Sequence, residues 1–235
     1  MENPVRITIT AGMDGDEYTG IEAARVVEKK YRTQKNIVVL PLINEAGYKH
    51  HTSWSPIDNK YPKFVFPGSH RGTHTAQRMY ELFETYIKHT DLWIDLHGGA
   101  TNEILTPFLW LYRSRHRDIR AIHQRVIETT SAPIVVYDRH PFMNYSALLD
   151  KLHIAHILME CGDQGTARKE DVRALITWVD EIIHPTATTH RNPLVYTSVR
   201  YVFDVNKRIE NGQLLWKRTD TDIPRGEVAA AYALR

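Results

Sequence analysis

Cysteine is nearly absent from this 235-residue chain: Cys161 stands alone, so no disulfide can form within it, and a reducing compartment is the simpler expectation. No apolar run reaches the length of a membrane span, and the start, Met-Glu-Asn-Pro-Val-Arg, has neither a basic cluster nor an apolar core of signal-peptide length. A cytoplasmic protein with no membrane partner is the expectation. Charge of one sign is not in excess either. Lysine and arginine number 30 against 28 acidic residues, a formal net charge of +2, which leaves no electrostatic case for nucleic acid or an acidic membrane. Internal repeats and low-complexity segments are missing. Histidine is plentiful at 13, but His50, His51, His70, His74 and His116 sit in polar surroundings, and a count of histidines is not a metal site. The length suits one large domain with a small appendage rather than two full domains.

What is present is organised around Leu-Trp-Ile-Asp-Leu-His-Gly-Gly at Leu92–Gly99. An apolar run that ends in a polar pair and two glycines reads as a buried strand, with Asp95 and His97 at its carboxyl end, where α/β folds bind ligands. Residues two apart on a strand point the same way, so Asp95 is placed to orient the His97 ring or support the loop beside it. Before this strand, Val5–Ala11 alternates as a strand, a carboxylate-rich turn (Gly12–Glu17) follows, and helical spacing runs over Tyr18–Tyr31. Ile37–Ile43 predicts a strand buried on both faces. Asn44–Gly72, rich in proline and aromatics, is too long for an ordinary connection and is the natural place for substrate contacts. Thr73–His89 is helical, with Thr73 as its expected cap. Beyond the central strand, helices over Ser114–Thr130, Tyr145–Leu152 and Glu170–Ile183 alternate with strands over Ala132–Tyr137 and His156–Glu160, which predicts a doubly wound α/β sheet. After the Pro185–Pro193 linker, Val195–Val205 and Gln213–Trp216 are strand-like and flank an Asn211-Gly212 turn signal, a small β appendage.

Three strand ends therefore carry acidic or imidazole groups: Asp14 and Glu17 after the first, His97 after the central one, and Glu160 closing Ile157–Glu160. In a parallel sheet all three face one crevice. An imidazole with carboxylates is a donor set for a divalent metal, and a further glutamate held off the metal is the proton acceptor that a metal-activated water needs. The bland alternative is that Asp14 and Glu17 merely cap a helix. Cys161 reads as a small buried hydrophobe rather than a nucleophile. His153 and His156 read as structural, and the Arg113–Arg125 run as the solvated face of a helix. Tyr137, Arg139 and Tyr145, near another strand's carboxyl end, are expected along the pocket.

Four segments resemble the succinylglutamate desuccinylase and aspartoacylase family of zinc-dependent deacylases, relatives of the zinc carboxypeptidases. Ala11-Gly12-Met13-Asp14-Gly15-Asp16-Glu17 is similar to the family's Ala-Gly-x-His-Gly-x-Glu segment, whose His and Glu are zinc ligands. Phe66-Pro67-Gly68 resembles its Phe-Pro-Gly turn, Ile94-Asp95-Leu96-His97-Gly98 the Asp-Leu-His segment that supplies the third ligand, and Met159-Glu160-Cys161-Gly162 the strand bearing its general base. The likeness spans Ile7 to Ile183, and Gly212–Ala229 resembles part of the family's β appendage. The resemblance implies a mixed, largely parallel sheet flanked by helices over residues 1–190, with a small C-terminal β appendage over 191–235. It further implies a zinc (Zn2+) ion on Asp14, Glu17 and His97, Glu160 as general base, and a small-molecule N-acylated amino acid or similar amide as substrate. Homo-oligomerisation is left open.

Two departures bear on that expectation. A ligand histidine is replaced by Asp14; two carboxylates lower the Lewis acidity of a bound metal, so magnesium, calcium or manganese competes with zinc. Where the family carries Asp-Leu-Asn-Arg, whose Asn and Arg bind substrate, this chain has Tyr61-Pro62-Lys63-Phe64, leaving Lys63, Arg71 and Arg139 as substrate-binding and oxyanion candidates. The alternative to a deacylase is a catalytically degenerate member with a binding or regulatory role, and altered chemistry on the same scaffold is a third reading.

Overall fold

Ile-Thr-Ile-Thr at Ile7–Thr10 and Trp-Ile-Asp-Leu-His at Trp93–His97 alternate two kinds of side chain along strands buried throughout. Each strand therefore has to find a different partner for each face. The computed structural model describes residues 4–138, 145–185, 193–202, 209–219 and 230–234. In chain order its elements are β1 (Ile7–Ala11), α1 (Tyr18–Tyr31), β2 (Ile37–Leu40), α2 (Glu45–His50), α3 (Pro62–Val65), α4 (His74–Thr85), β3 (Leu92–His97), β4 (Glu103–Leu105), β5 (Phe108–Tyr112), α5 (Arg117–Thr129), β6 (Ile134–Asp138), α6 (Ser146–Lys151), β7 (Ala155–Glu160), α7 (Lys169–Ile183), β8 (Leu194–Tyr196), β9 (Ser198–Val202), β10 (Gln213–Arg218) and β11 (Ala230–Leu234).

The main sheet runs β2-β1-β3-β7-β5-β6-β8, and every neighbouring pair in it is parallel except β5 against β7. Ile9, Ile94, Leu96, Ile157 and Met159 pack on one face against α1, α5 and α7 through Val27, Val126 and Trp178. Trp93, Leu158 and Trp110 pack on the other against Met79 and Leu82 of α4, Leu149 of α6 and Leu215 of β10. By the period of two, Thr10, Asp95, His97 and Glu160 belong to this second face. On the first face α1 lies directly on β3: a Cβ at Gly20 would come 2.5 Å from Leu96 O. That contact brings Glu17, at the start of α1, over the end of β3.

The structure corrects several expectations. The strand begun at Ile37 stops at Leu40 and is the edge of the sheet, with Val38 exposed, because only β1 pairs with it. Thr73 occupies the cap position of α4 but its side chain makes no cap hydrogen bond; Asp58 takes that part, accepting from Thr75 N at 2.8 Å and Thr75 Oγ1 at 2.6 Å. The sheet is mixed and largely parallel as expected, but the one reversal, β5 against β7, puts the carboxyl end of β6 at the opposite end of the strands from those of β1, β3 and β7, and Tyr137, expected along the pocket, lies there with it. The second sheet, β4-β10-β11-β9, takes β4 from the middle of the chain, while β8 joins the main sheet beside β6, so strands cross the 190/191 division both ways. Asn211 does adopt positive φ, but β10 pairs with β4 and β11 rather than β9. Among the described residues no helix is long and apolar enough to cross a membrane.

Candidate active site

The turn after β1 begins at Gly12, whose φ of +69° is in the left-handed region that favours glycine, and it carries Asp14 and Glu17 back over the sheet. Neither carboxylate caps α1. Glu17 Oε2 lies 2.7 Å from His97 Nδ1 and accepts from Gly98 N at 3.2 Å, while Asp14 Oδ2 is 3.9 Å from the same Nδ1. On its far side His97 Nε2 meets Asp95 Oδ2 at 3.1 Å. Asp95 is itself anchored: Thr10 Oγ1 donates to its Oδ1 at 2.6 Å, Tyr145 Oη donates to Oδ2 at 3.3 Å, and Trp93 Nε1 donates to Thr10 Oγ1 at 2.7 Å. Glu160 is directly opposite His97 in the β3–β7 register, and its Oε2 is buried with no hydrogen-bond partner.

The electrostatics follow from burial. Burial penalises the Asp95 carboxylate, but the neighbouring His97 outweighs it and holds Asp95 below the usual carboxylate range, so Asp95 stays an acceptor and Nε2 carries a hydrogen. Nδ1 then faces two carboxylates, an arrangement that needs a cation between them. Without a metal that cation is a proton: burial opposes it, but Glu17 and Asp95 push His97 well above its ordinary pKa. Burial raises the Glu160 carboxyl to about 8. Lys63 Nζ lies 2.5 Å from Asp14 Oδ2 and is kept charged against the cost of burial by Asp14, Glu17 and Glu103.

The donor set fits a divalent ion. Asp14, Glu17 and His97 each offer one atom, all within 4.8 Å of one another, the three residues are buried, and Asp14 Oδ1 has no partner. A second group of the same kind, His116, Asp118 and His153, lies on the surface with the His116 and His153 ring centroids 3.7 Å apart. Asp118 and His153 are exposed, so water competes for these donors, unlike the buried set around His97.

Glu17 and Glu160 open into a cavity of about 680 Å³. Its walls are the long segment (Ser53, Trp54, Tyr61, Lys63, Phe64), Thr101 and Asn102 of the β3–β4 loop, Glu103 of β4, and Tyr201, Trp216 and Arg218 of the small sheet. Asn44–Gly72 thus does line the site. Arg71 does not; it is exposed, and its amide donates to Ser69 Oγ. Arg139 lies outside the described residues. Tyr145 reaches the site through Asp95 and not by lining the cavity. Cys161 is buried and its thiol pushed up to about 12 by burial, which disfavours the thiolate. Glu103, Thr10 and Asp16 escaped the sequence reading. Asp16 accepts from Ser53 Oγ at 2.7 Å and from Thr101, pinning two loops of the cavity wall. Thr10 had a signal, since alternation in a buried strand puts its hydroxyl on the face shared with Asp95; Glu103 had none, its position depending on the pairing of β4 with β10.

Among solved structures, a succinylglutamate desuccinylase/aspartoacylase from Rhodobacter sphaeroides superposes with a TM-score of 0.76 at 17% identity, covering 98% of this chain and 86% of that one. The product-bound ectoine utilization protein EutE (DoeB) from Ruegeria pomeroyi gives 0.71 at 18%, covering 100% and 80%. A curated relative, N-alpha-acetyl-L-2,4-diaminobutyric acid deacetylase of Halomonas elongata, is 22% identical over 190 residues, 77% of this chain and 54% of the relative, so the chain spans about half the length of that protein. Residues 4–184, which include Asp14, Glu17, Lys63, Asp95, His97 and Glu160, match the family model described as the succinylglutamate desuccinylase/aspartoacylase catalytic domain, and the chain belongs to that family.

Proposed function

We propose that this chain is a metal-dependent amidohydrolase that removes the acyl group from an N-acylated amino acid or a similar small amide. One observation carries the proposal: three donor atoms from two segments far apart in the chain, the β1–α1 turn and the end of β3, lie within 4.8 Å of one another beside Glu160, whose Oε2 is buried and unpartnered. The kinship supports amide chemistry, since the Halomonas relative is a deacetylase. Asp14, Glu17 and His97 would hold the ion, zinc or a harder divalent metal. When bound, it supplies Lewis acidity that lowers the pKa of water and polarises the acyl carbonyl.

The protein's own groups do the rest. Asp95, tied to Thr10 and Tyr145, keeps the hydrogen of His97 on Nε2 and the lone pair of Nδ1 facing Asp14 and Glu17. Glu160 Oε2 takes the proton from the attacking water and returns it to the departing amine nitrogen, and burial, which raises its carboxyl above the usual range, favours its holding that proton between the two transfers. Lys63, the one substrate-binding candidate found at the cavity, offers positive charge where negative charge develops on the carbonyl oxygen. Tyr201 and Trp216 wall the site against solvent. Zinc- or manganese-loaded protein is expected to release free amine from N-acetyl amino acids, and Glu160→Gln to lower kcat by about 10²- to 10⁴-fold while keeping its metal. Full turnover in that variant contradicts the assignment.

A specific contact favours a second reading. The Lys63 ammonium against Asp14 is a built-in cation, which a metal-free, catalytically degenerate member would use to neutralise its buried carboxylates. Wild-type protein that stays metal-free but gains zinc on Asp14→His supports that reading.

A further inference from the structure

The surface donors His116, Asp118 and His153 are separate from the cavity at Glu160. His116 occupies the cap position of α5, Asp118 lies in the first turn of that helix, and His153 follows α6. These turns come after β5 and before β7, and because β5 runs antiparallel to β7 they meet at the amino end of β7, the length of that strand away from Glu160. Ser114 fastens the two turns together. It is buried, its hydroxyl donates to Asp150 Oδ1 of α6, and its Oγ accepts from His116 N at 2.9 Å. On the other side the His153 amide donates to Asp150 O at 3.1 Å, and Ile154 N closes the end of α6 on Leu149 O at 3.0 Å. That closure sets His153 at a φ of +58°, in the left-handed region where glycine is the usual residue. The backbone thus brings the two imidazoles together.

The donor geometry suits one ion. The ring centroids are 3.7 Å apart with their planes inclined at 48°, nearer than the about 4.5–7 Å at which rings pack for their own sake. His153 Nδ1 is 3.8 Å from Asp118 Oδ2, too far for a hydrogen bond and just inside about 4.1 Å, the sum of two zinc–donor bonds. One atom from each of the three residues lies within 4.8 Å of the others. The composition of the set selects the class of ion. Arg115 and Arg117 flank His116, both exposed, and a single carboxylate does not offset them, so magnesium or calcium, which are held by oxygen donors and charge, gain little here. Two imidazoles suit a borderline transition ion instead.

We propose that His116, Asp118 and His153 form a second, surface site for a zinc-class divalent ion, its coordination completed by water, which ties the start of α5 to the end of α6. Because Asp118 and His153 are exposed, the ion exchanges with solvent and is taken up from added zinc rather than carried through purification. Calorimetric zinc titration of the untagged full chain counts the sites. The wild type should take up two equivalents, the weaker of them here, and His97→Ala should keep the weaker one. Asparagine adopts the left-handed region readily, so His153→Asn preserves the turn, and it should weaken this site by at least about tenfold. His116→Gln should do the same, and both variants should leave the tighter equivalent as it is. The inference is overturned if the weaker equivalent is absent from the wild type, survives both substitutions, or is displaced by a large excess of magnesium. A single equivalent that His153→Asn removes and His97→Ala leaves supports this site and counts against the one at Asp14, Glu17 and His97, so the two stand or fall separately.

Discussion

Lys63 and Asp14, both expected from the sequence to depart from the pattern of the family it resembles, touch each other. The pairing explains how two buried carboxylates and an imidazole coexist: the ammonium compensates one carboxylate oxygen and leaves Asp14 Oδ1 without a partner. It also opposes any second cation at the same place. Lys63→Met is therefore expected to bind zinc at least about tenfold more tightly than wild type, by removal of a unit charge a few ångströms from the ion. Without metal the same variant should lose about 3 to 5 kcal/mol of stability, since a buried carboxylate is left uncompensated. Metal titration and urea unfolding of the two proteins measure both effects. Unchanged zinc affinity would show that Lys63 lies outside the reach of the metal site.

At the scale of elements, helix ends and strand edges decide how much could be foreseen. Tyr18–Tyr31 was legible to the residue because its apolar positions recur at helical spacing, and β3 was legible because its alternation ends in glycine. The start of α4 was not. Its cap comes from Asp58, fifteen residues before Thr73 in the sequence, and no local pattern encodes a carboxylate brought in across a loop. Asp58→Ala is expected to cost about 1 kcal/mol, as for other lost caps, and Thr73→Ala much less. Equal losses from the two variants, read as shifts in the urea midpoint, would return the cap to Thr73.

At the scale of the whole molecule, the α/β class and the meeting of Asp14, Glu17, His97 and Glu160 followed from three neighbouring parallel strands whose carboxyl ends face one crevice. The reversal at β5 did not follow. Phe108–Tyr112 is a five-residue apolar run with Pro107 just before it, and nothing local sets the direction in which such a run enters a sheet. The three residues of β4 were hidden for a related reason: among the described residues the strand they pair with is β10, more than a hundred residues later, and Glu103 enters the cavity through that pairing. The core carries a pH signature as well. His123 and His156 are buried, and burial lowers each to about 4, below the ~6.5 of an unfolded histidine. Between those values the unfolded chain binds more protons, so the stability these residues contribute is complete above about pH 6.5 and falls as pH drops toward 4, by about 2 kcal/mol for each at pH 5. His123→Phe should flatten the pH dependence of urea unfolding between pH 7 and 5; an unaltered slope would mean that His123 does not titrate on unfolding.

The metal content of the full chain, purified without chelator and read by elemental analysis, tests the centre of this account most directly. A stoichiometric divalent ion in the wild type, lost in His97→Ala and kept in Arg71→Ala, is the result predicted. Wild-type protein that stays metal-free after incubation with zinc, magnesium and manganese in turn would contradict it.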